Sequence, residues 1–174
     1  DAVFVFLPLG ELCVQFLKAY SDSGLATSGL KLLGTADITD ESHLDATGDT
    51  AVGAITSGVY APALDNPANK KLVEEYERAF GKTQRVNLVN AMIWDSLQVV
   101  YAGLEAQRGA AFNPDKFVAT LRGRKFDSPR GPFTISPSHN PVQDFYIRQA
   151  GAKENKKIGI ASAKLEDPAR GCKL

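Results

Sequence analysis

The side chains able to do chemistry are few in this chain, and their spacing argues against catalysis. Its 174 residues include two histidines. His43 sits in a short acidic helical turn and His139 in a Pro/Ser/Asn turn, and both contexts read as solvated surface. Cys13 falls inside an apolar helical pattern, where a thiol packs as a small hydrophobe, and Cys172 lies in a polar tail. Together they give neither metal-ligand spacing nor a disulfide framework. The sequence holds no G-x-S-x-G elbow, no phosphate-binding Walker loop and no G-x-G-x-x-G, so nucleotide and acyl-transfer chemistry lose their usual carriers. The expectation is a protein that is not an enzyme and uses no cofactor or metal.

One acidic cluster, Asp37, Asp40, Glu41, Asp45 and Asp49, has oxygen ligands at the short spacing a hard cation favours. The central glycine and terminal glutamate of a calcium loop are missing. Helix capping and a solvated helix face are the expected account. Asp37 stands apart because it follows a strand C-terminus, where a parallel sheet presents groups to a ligand; ligand contact and helix capping both stand as readings. Tyr60 sits where a strand ends before Pro62, and hinge packing and ligand contact remain open for it. The other aromatics, Phe4, Phe6, Phe16, Tyr76, Phe80, Trp94 and Tyr101, fall on apolar periodic faces and are expected in the core.

The elements that must position these groups alternate in kind. Ala2 to Leu7 is a continuous apolar run, as in a strand buried on both faces of a parallel sheet. Gly10 to Ser23 carries Leu12, Phe16, Leu17 and Tyr20 at helical spacing, with Gly24 as its left-handed stop. Leu30 to Leu33 is the next strand. This βαβ unit sends its ligand-facing loops out at Leu7 to Gly10 and Gly34 to Thr39. Thr39 to Leu44 reads as a short helical turn, Ala51 to Tyr60 as a third strand, and Asn66-Pro67 as a capped helix start running to Phe80 before Gly81. Val89 to Gln107 is apolar nearly all round and is expected to be a largely buried helix, followed by a helix from Asn113-Pro114 to Leu121. A turn at Ser128 to Pro132 leads to a short strand. Val142 to Arg148 alternates, with Phe145 and Ile147 on one face and Asp144, Tyr146 and Arg148 on the other, as in a half-buried edge strand. From Gly151 onward the chain reads as loosely held.

Twenty Lys plus Arg balance 20 Asp plus Glu, with no long like-charge block, so nucleic acid is not an expected partner. The longest apolar run, Ala2 to Leu9, is far too short to span a bilayer. A strand-like run starting at residue 2 without an initiator Met reads as a fragment that has lost upstream sequence; a mature N-terminus after signal cleavage is the alternative.

The stretch Gly48 to Gly81, GDTAVGAITSGVYAPALDNPANKKLVEEYERAFG, closely resembles periplasmic solute-binding proteins of ABC importers, of the branched-chain amino acid type. There GD-x-A-x-G, a crossover strand and D-N-P-A-N follow one another. The likeness runs from DAVFVFLPLGE to SPRGPFTISPSHNPVQDFYIRQ, about Asp1 to Gln149. It implies a type I periplasmic-binding fold: α/β, with Rossmann-like lobes of mostly parallel strands, present here as a C-terminal fragment. Residues 1–58 and 142–151 would belong to the second lobe, 61–140 would complete the first, and 152–174 would be a tail. The resemblance implies a periplasmic substrate-binding component that closes over a small solute and docks on a membrane permease. A ligand-sensing domain of a receptor or regulator is the alternative. The implied ligand-binding residues are Leu7, Pro8, Leu9, Gly10, Ala36, Asp37 and Tyr60. Two positions depart from amino acid binders: the Leu7-Pro8-Leu9-Gly10 loop lacks an aromatic, and Ala36 falls where an acid would take the ligand ammonium, with Asp37 one residue on. Relatives with such a loop look like binders of aromatic carboxylates or other small acids. Sheet edges exposed by missing strands would permit a dimer.

Overall fold

The computed structural model describes residues 1–171; Cys172 lies outside the described residues. Strand β1 (Ala2–Val5), helix α1 (Glu11–Asp22) and strand β2 (Lys31–Thr35) form the expected βαβ unit, with Val3 paired to Leu32 in parallel. Between β2 and β3 (Ile55–Gly58) run a 3-10 turn at Ala36–Thr39, the short helix α2 (Leu44–Thr47) and a second 3-10 turn at Gly48–Ala51. The third strand is therefore shorter than the expected Ala51 to Tyr60. Gly48 and Gly53 adopt φ of 51° and 86°, turning the chain where a continuous strand would have kept it extended. Helices α3 (Pro67–Phe80), α4 (Leu88–Glu105) and α5 (Pro114–Leu121) precede the short strands β4 (Lys125–Phe126) and β5 (Phe133–Ile135). Both Asn-Pro starts cap as expected: Asn66 Oδ1 accepts from Asn69 N at 2.9 Å and Asn113 Oδ1 from Lys116 N at 2.9 Å, satisfying amides that the first helical turn leaves free.

The last two strands depart most from expectation. Strand β6 (Pro141–Ala150) lies inside the sheet: the order is β1-β2-β3-β6-β5-β4, and β7 (Asn155–Leu165) pairs with β6 on its other side. Near its start β6 pairs with β5 through Val142 and Thr134, and further on it pairs antiparallel with β3, Arg148 opposite Thr56. Its alternation holds, but the buried face is the polar one. Tyr146, Arg148 and Ala150 are buried while Phe145 and Ile147 are only half-buried, because the partners that compensate a guanidinium lie on that side. Residues 155–165, expected to be loosely held, form β7 because a tight turn, Gly151 N to Glu154 O at 2.9 Å, returns the chain onto β6. Lys156, Lys157 and Lys164 line this strand, and lysines discourage further strand addition at an edge.

Apolar residues gather in separate clusters. Cys13, Leu17, Ile38 and Leu44 pack under β1–β3 with Ala54 and Ala150. Tyr60, Ala61, Leu64, Leu72 and Tyr146 pack around α3, and Ala102, Leu121, Phe126 and Phe133 join α4 and α5 to β4–β5. The chain passes from the first cluster to the second twice, between Ala54 and Tyr60 and between Ala150 and Tyr146.

Several expected core aromatics stand outside these clusters. Phe4 and Phe6 are 68% and 71% exposed, because β1 ends the sheet and α1 covers one of its faces. Phe80 and Tyr101 are exposed as well, whereas Phe16, Tyr76 and Trp94 pack against the cores. Helix α4 was expected to be largely buried, yet Met92, Ile93, Leu97, Val100 and Leu104 are exposed and only Ala91, Asp95, Ala102 and Gly103 are buried. Its packed side is set by close approach: a Cβ on Gly103 would lie 2.3 Å from the Phe117 ring.

Asn66 carries a second bond besides its cap, Nδ2 to the Pro129 carbonyl at 3.0 Å, tying the start of α3 to the turn before β5. Asn66→Ala is expected to lower unfolding free energy by about 1–2 kcal/mol, the usual cost of losing such a cap. Chemical denaturation checks this, and an unchanged midpoint would show that neither bond stabilises the fold.

Candidate ligand-binding cleft

A fully buried arginine organises the C-terminal ends of the parallel strands. Arg148 on β6 donates Nε to Thr56 Oγ1 (3.2 Å), Nη1 to the Tyr60 carbonyl (2.8 Å), and Nη2 to the Ala36 carbonyl (3.1 Å) and Thr39 Oγ1 (3.2 Å). A desolvated guanidinium is tolerated only when its donors are met, and here the acceptors come from the turn after β2, from β3 itself and from the segment that follows β3. Thr39 passes the network on, donating Oγ1 to Asn155 Oδ1 at 2.8 Å, while Asn155 Nδ2 donates to the Thr39 carbonyl and to Glu41 Oε1. Burial pushes the Glu41 carboxyl above the ordinary glutamate range, with the Arg148 charge opposing it. Glu41 Oε2 is buried without a partner.

The acidic cluster is thus only in part the solvated face expected of it: Asp45 and Asp49 are exposed, but Asp37 is half-buried and two others are enclosed. Asp40 and Glu41 are 2% and 1% exposed. Asp40 Oδ1 accepts from Ser42 N (3.0 Å) and from Asn87 Nδ2 (3.0 Å) at the start of α4, and the exposed Asp45 pairs with Arg85 at 2.7 Å. These contacts join the loop after β2 to the segment leading into α4.

A cleft of about 700 Å³ opens at the ends of β2 and β3, where open α/β sheets bind ligands. Thr35, Ala36, Asp37, Ser57, Gly58 and Val59 form one wall. Facing them are Leu88, Met92, Asp95 and Val99 of α4, then Arg130 and Phe133 beside β5, and Gln143 and Phe145 of β6. Most of this lining is apolar, with few polar groups, as small-molecule sites require. Asp95 and Arg130 pair inside it, Asp95 Oδ2 accepting from Arg130 Nε at 2.6 Å and from Ser128 Oγ at 2.7 Å. Arg130 Nη1 donates to Gln143 Oε1, and its guanidinium lies 5.3 Å from the Phe133 ring centre. The cleft residues Thr35 and Asp95 each hold a buried oxygen, Oγ1 and Oδ1, without a partner among the described residues.

Of the residues singled out by sequence, Ala36 and Asp37 line this cleft. Leu7, Pro8, Leu9 and Gly10 do not; they follow β1 at the outer end of the sheet. Tyr60 is fully buried and donates its hydroxyl to Asn69 Oδ1 at 2.9 Å, so its side chain packs at the crossover while its carbonyl serves Arg148. His139 lies at the cleft with φ of 64° and its Nε2 is 3.1 Å from Arg122 Nη2; His43 is half-buried with a buried Nδ1 that has no partner. Sequence reasoning missed Arg148, Asp95 and Arg130. Asp95 had a readable signal, as a carboxylate inside an otherwise apolar helix stretch. Arg148 had none, since its alternation on β6 suited solvent equally well.

Residues 1–156 match the family described as Periplasmic binding protein, and the chain belongs to that family. The Leu/Ile/Val-binding protein homolog 6 of Brucella melitensis is 38% identical over 164 residues, covering 91% of this chain and 42% of the relative. A solute binding protein of an ABC transporter from R. palustris, in complex with benzoate, superposes with a TM-score of 0.88 at 32% identity over 98% of this chain and 46% of that one. A second, from Rhodopseudomonas palustris HaA2 in complex with p-hydroxybenzoic acid, gives 0.87 at 31% identity over 95% and 46%. The chain therefore spans less than half the length of these relatives. The mixed sheet, parallel through β1–β3, is the type I periplasmic-binding fold.

Two variants test this wall. Glu41 binds its proton more tightly in the folded state than in the unfolded chain, so its contribution to stability is complete below the ordinary glutamate range and is lost as pH rises through the raised value. Glu41→Gln is expected to flatten stability against pH across that interval in denaturation series from about pH 4 upward; a profile parallel to the parent's would refute this. At Gly58 an added Cβ would sit 2.5 Å from the Ala36 Cβ. Gly58→Ala is expected to displace the loop after β2 and cost about 1–3 kcal/mol, read by thermal denaturation.

Proposed function

We propose that this chain is the C-terminal portion of the solute-binding component of an ABC importer. It captures a small aromatic carboxylate between two lobes and presents it to a membrane permease, in the periplasm and without catalysis. The observation that carries the reading is the position of the cleft: it lies at the ends of β2 and β3, with the residues after those strands on one side and α4, β5 and β6 on the other. Residues 1–58 with 142–151 form part of the second lobe and 61–140 the C-terminal part of the first. β6 and the Val59–Pro62 segment are the crossings that would flex as the lobes close, the usual hinge form of domain closure. Ligand binding drives closure because the closed form buries the solute against both walls.

The aromatic-acid assignment is supported by the wall itself. Ala36 stands where an α-ammonium would need a carboxylate, and losing that partner for a buried ammonium costs about 1.5–3 kcal/mol. Apolar side chains on α4 and at Phe133 and Phe145 suit a ring. The structures with a TM-score of 0.87 or more at over 30% identity hold benzoate and p-hydroxybenzoic acid.

No helix among the described residues is long and apolar enough to cross a membrane, consistent with a binding component separate from its permease. The test is a thermal-shift and calorimetric panel on the full-length protein that carries this chain, with benzoate, 4-hydroxybenzoate and leucine. An aromatic acid at a hundredfold excess over its Kd is expected to stabilise by about 2.7 kcal/mol. A response to leucine alone would overturn the assignment.

A further inference from the structure

We propose that Asp37 selects the ligand by accepting a hydrogen bond from a ring hydroxyl, so that the cleft prefers hydroxylated aromatic acids to the unsubstituted acid. This rests on the aromatic-acid reading above and deepens it. Asp37 is half-buried, lies just beyond the C-terminal end of β2 and lines the cleft. Its carboxylate takes part in no hydrogen bond or ion pair among the described residues. On the facing side Asp95 Oδ2 pairs with Arg130 at 2.6 Å while its Oδ1 is buried without a partner among the described residues, and His139 contacts Arg122. Arg148, the cation behind this loop, already has its donors on Thr56, Thr39 and the Ala36 and Tyr60 carbonyls. Asp37 is therefore the charged group of this wall whose hydrogen-bonding capacity is unused.

A ligand that closes over such a wall meets two requirements. Its own carboxylate must point away, because two carboxylates brought together in a partly desolvated site repel. Its near end must bring a donor, because closing over an unpartnered carboxylate otherwise strips water from it without compensation. An aromatic acid bearing a hydroxyl across the ring satisfies both, since the ring separates donor from carboxylate. An α-amino acid does not: its ammonium and carboxylate share one carbon, so seating the ammonium on Asp37 draws the carboxylate in beside it. Ala36, Ser57 and Gly58 line the cleft next to Asp37 and bring no charge to it.

Calorimetric titration of the full-length protein with 4-hydroxybenzoate, benzoate and leucine, in wild type, Asp37→Asn and Asp37→Ala, tests this. Wild type is expected to prefer 4-hydroxybenzoate over benzoate by at least about tenfold, the discrimination that one hydrogen bond to a charged group supplies. Asp37→Ala is expected to collapse that preference by weakening 4-hydroxybenzoate and strengthening benzoate. Asp37→Asn, which keeps an acceptor without the charge, falls between. Wild type that binds both acids equally, or an Asp37→Ala variant of native melting temperature that keeps the full preference, overturns this inference and leaves the aromatic-acid reading standing. Wild type that binds only leucine, lost on Asp37→Ala, overturns both.

Discussion

The buried guanidinium of Arg148 is the constraint on which the rest of this structure depends. Removing an arginine from water is costly unless its donors find acceptors with good geometry. Here the acceptors are two backbone carbonyls and two threonine hydroxyls drawn from two segments of chain, 36–39 and 56–60. The loop after β2, the segment after β3 and strand β6 must therefore meet at one point. Asn155 extends the arrangement to β7, and Glu41 places a carboxylate near the charge. The turns that carry Ala36 and Asp37 are held from behind by this group, which lets them present a defined wall without help from the ligand. Such preorganisation matters for a binding protein, because order that already exists need not be created when the solute arrives.

The cleft combines that rigid wall with an adaptable one. Opposite Ala36 and Asp37, helix α4 offers Leu88, Met92 and Val99, of which the unbranched methionine adapts most readily to a neighbour's shape. Within this apolar lining the Asp95–Arg130 pair joins α4 to the turn before β5, and Gln143 ties it to β6. These are structural ties within the lining, in which Thr35 Oγ1 and Asp95 Oδ1 stand without partners among the described residues.

Family membership and the exposed faces belong to one picture. The chain covers less than half the length of the structures it superposes on, and the outer side of α4 and the free face of β1 carry large apolar residues exposed to solvent. Apolar all-round helices are core helices, so the composition of α4 suits a helix packed on both sides. In this chain it is packed on one, against α5 and the β4–β5 strands.

What the sequence by itself determined is local. The Asn-Pro caps of α3 and α5, the βαβ opening, the burial of Cys13 and the family likeness follow from signals contained in a few neighbouring residues, because capping, turn chemistry and periodicity are short-range. Ala36 and Asp37 were legible as cleft residues because they follow a parallel strand, but the same signal pointed to Leu7–Gly10 after β1, and only the position of each strand in the sheet separated the two loops. Only the tertiary structure decided which face of β6 is buried, since alternation is symmetric and the acceptors that reverse the usual choice lie more than eighty residues away in sequence. The same holds for β7, whose lysine-rich sequence gains its order from a long antiparallel pairing, and for Asp40 and Glu41, whose burial depends on Asn87, Asn155 and Arg148. Charge and hydropathy report what a residue prefers in water; long-range hydrogen bonds decide when that preference is overridden.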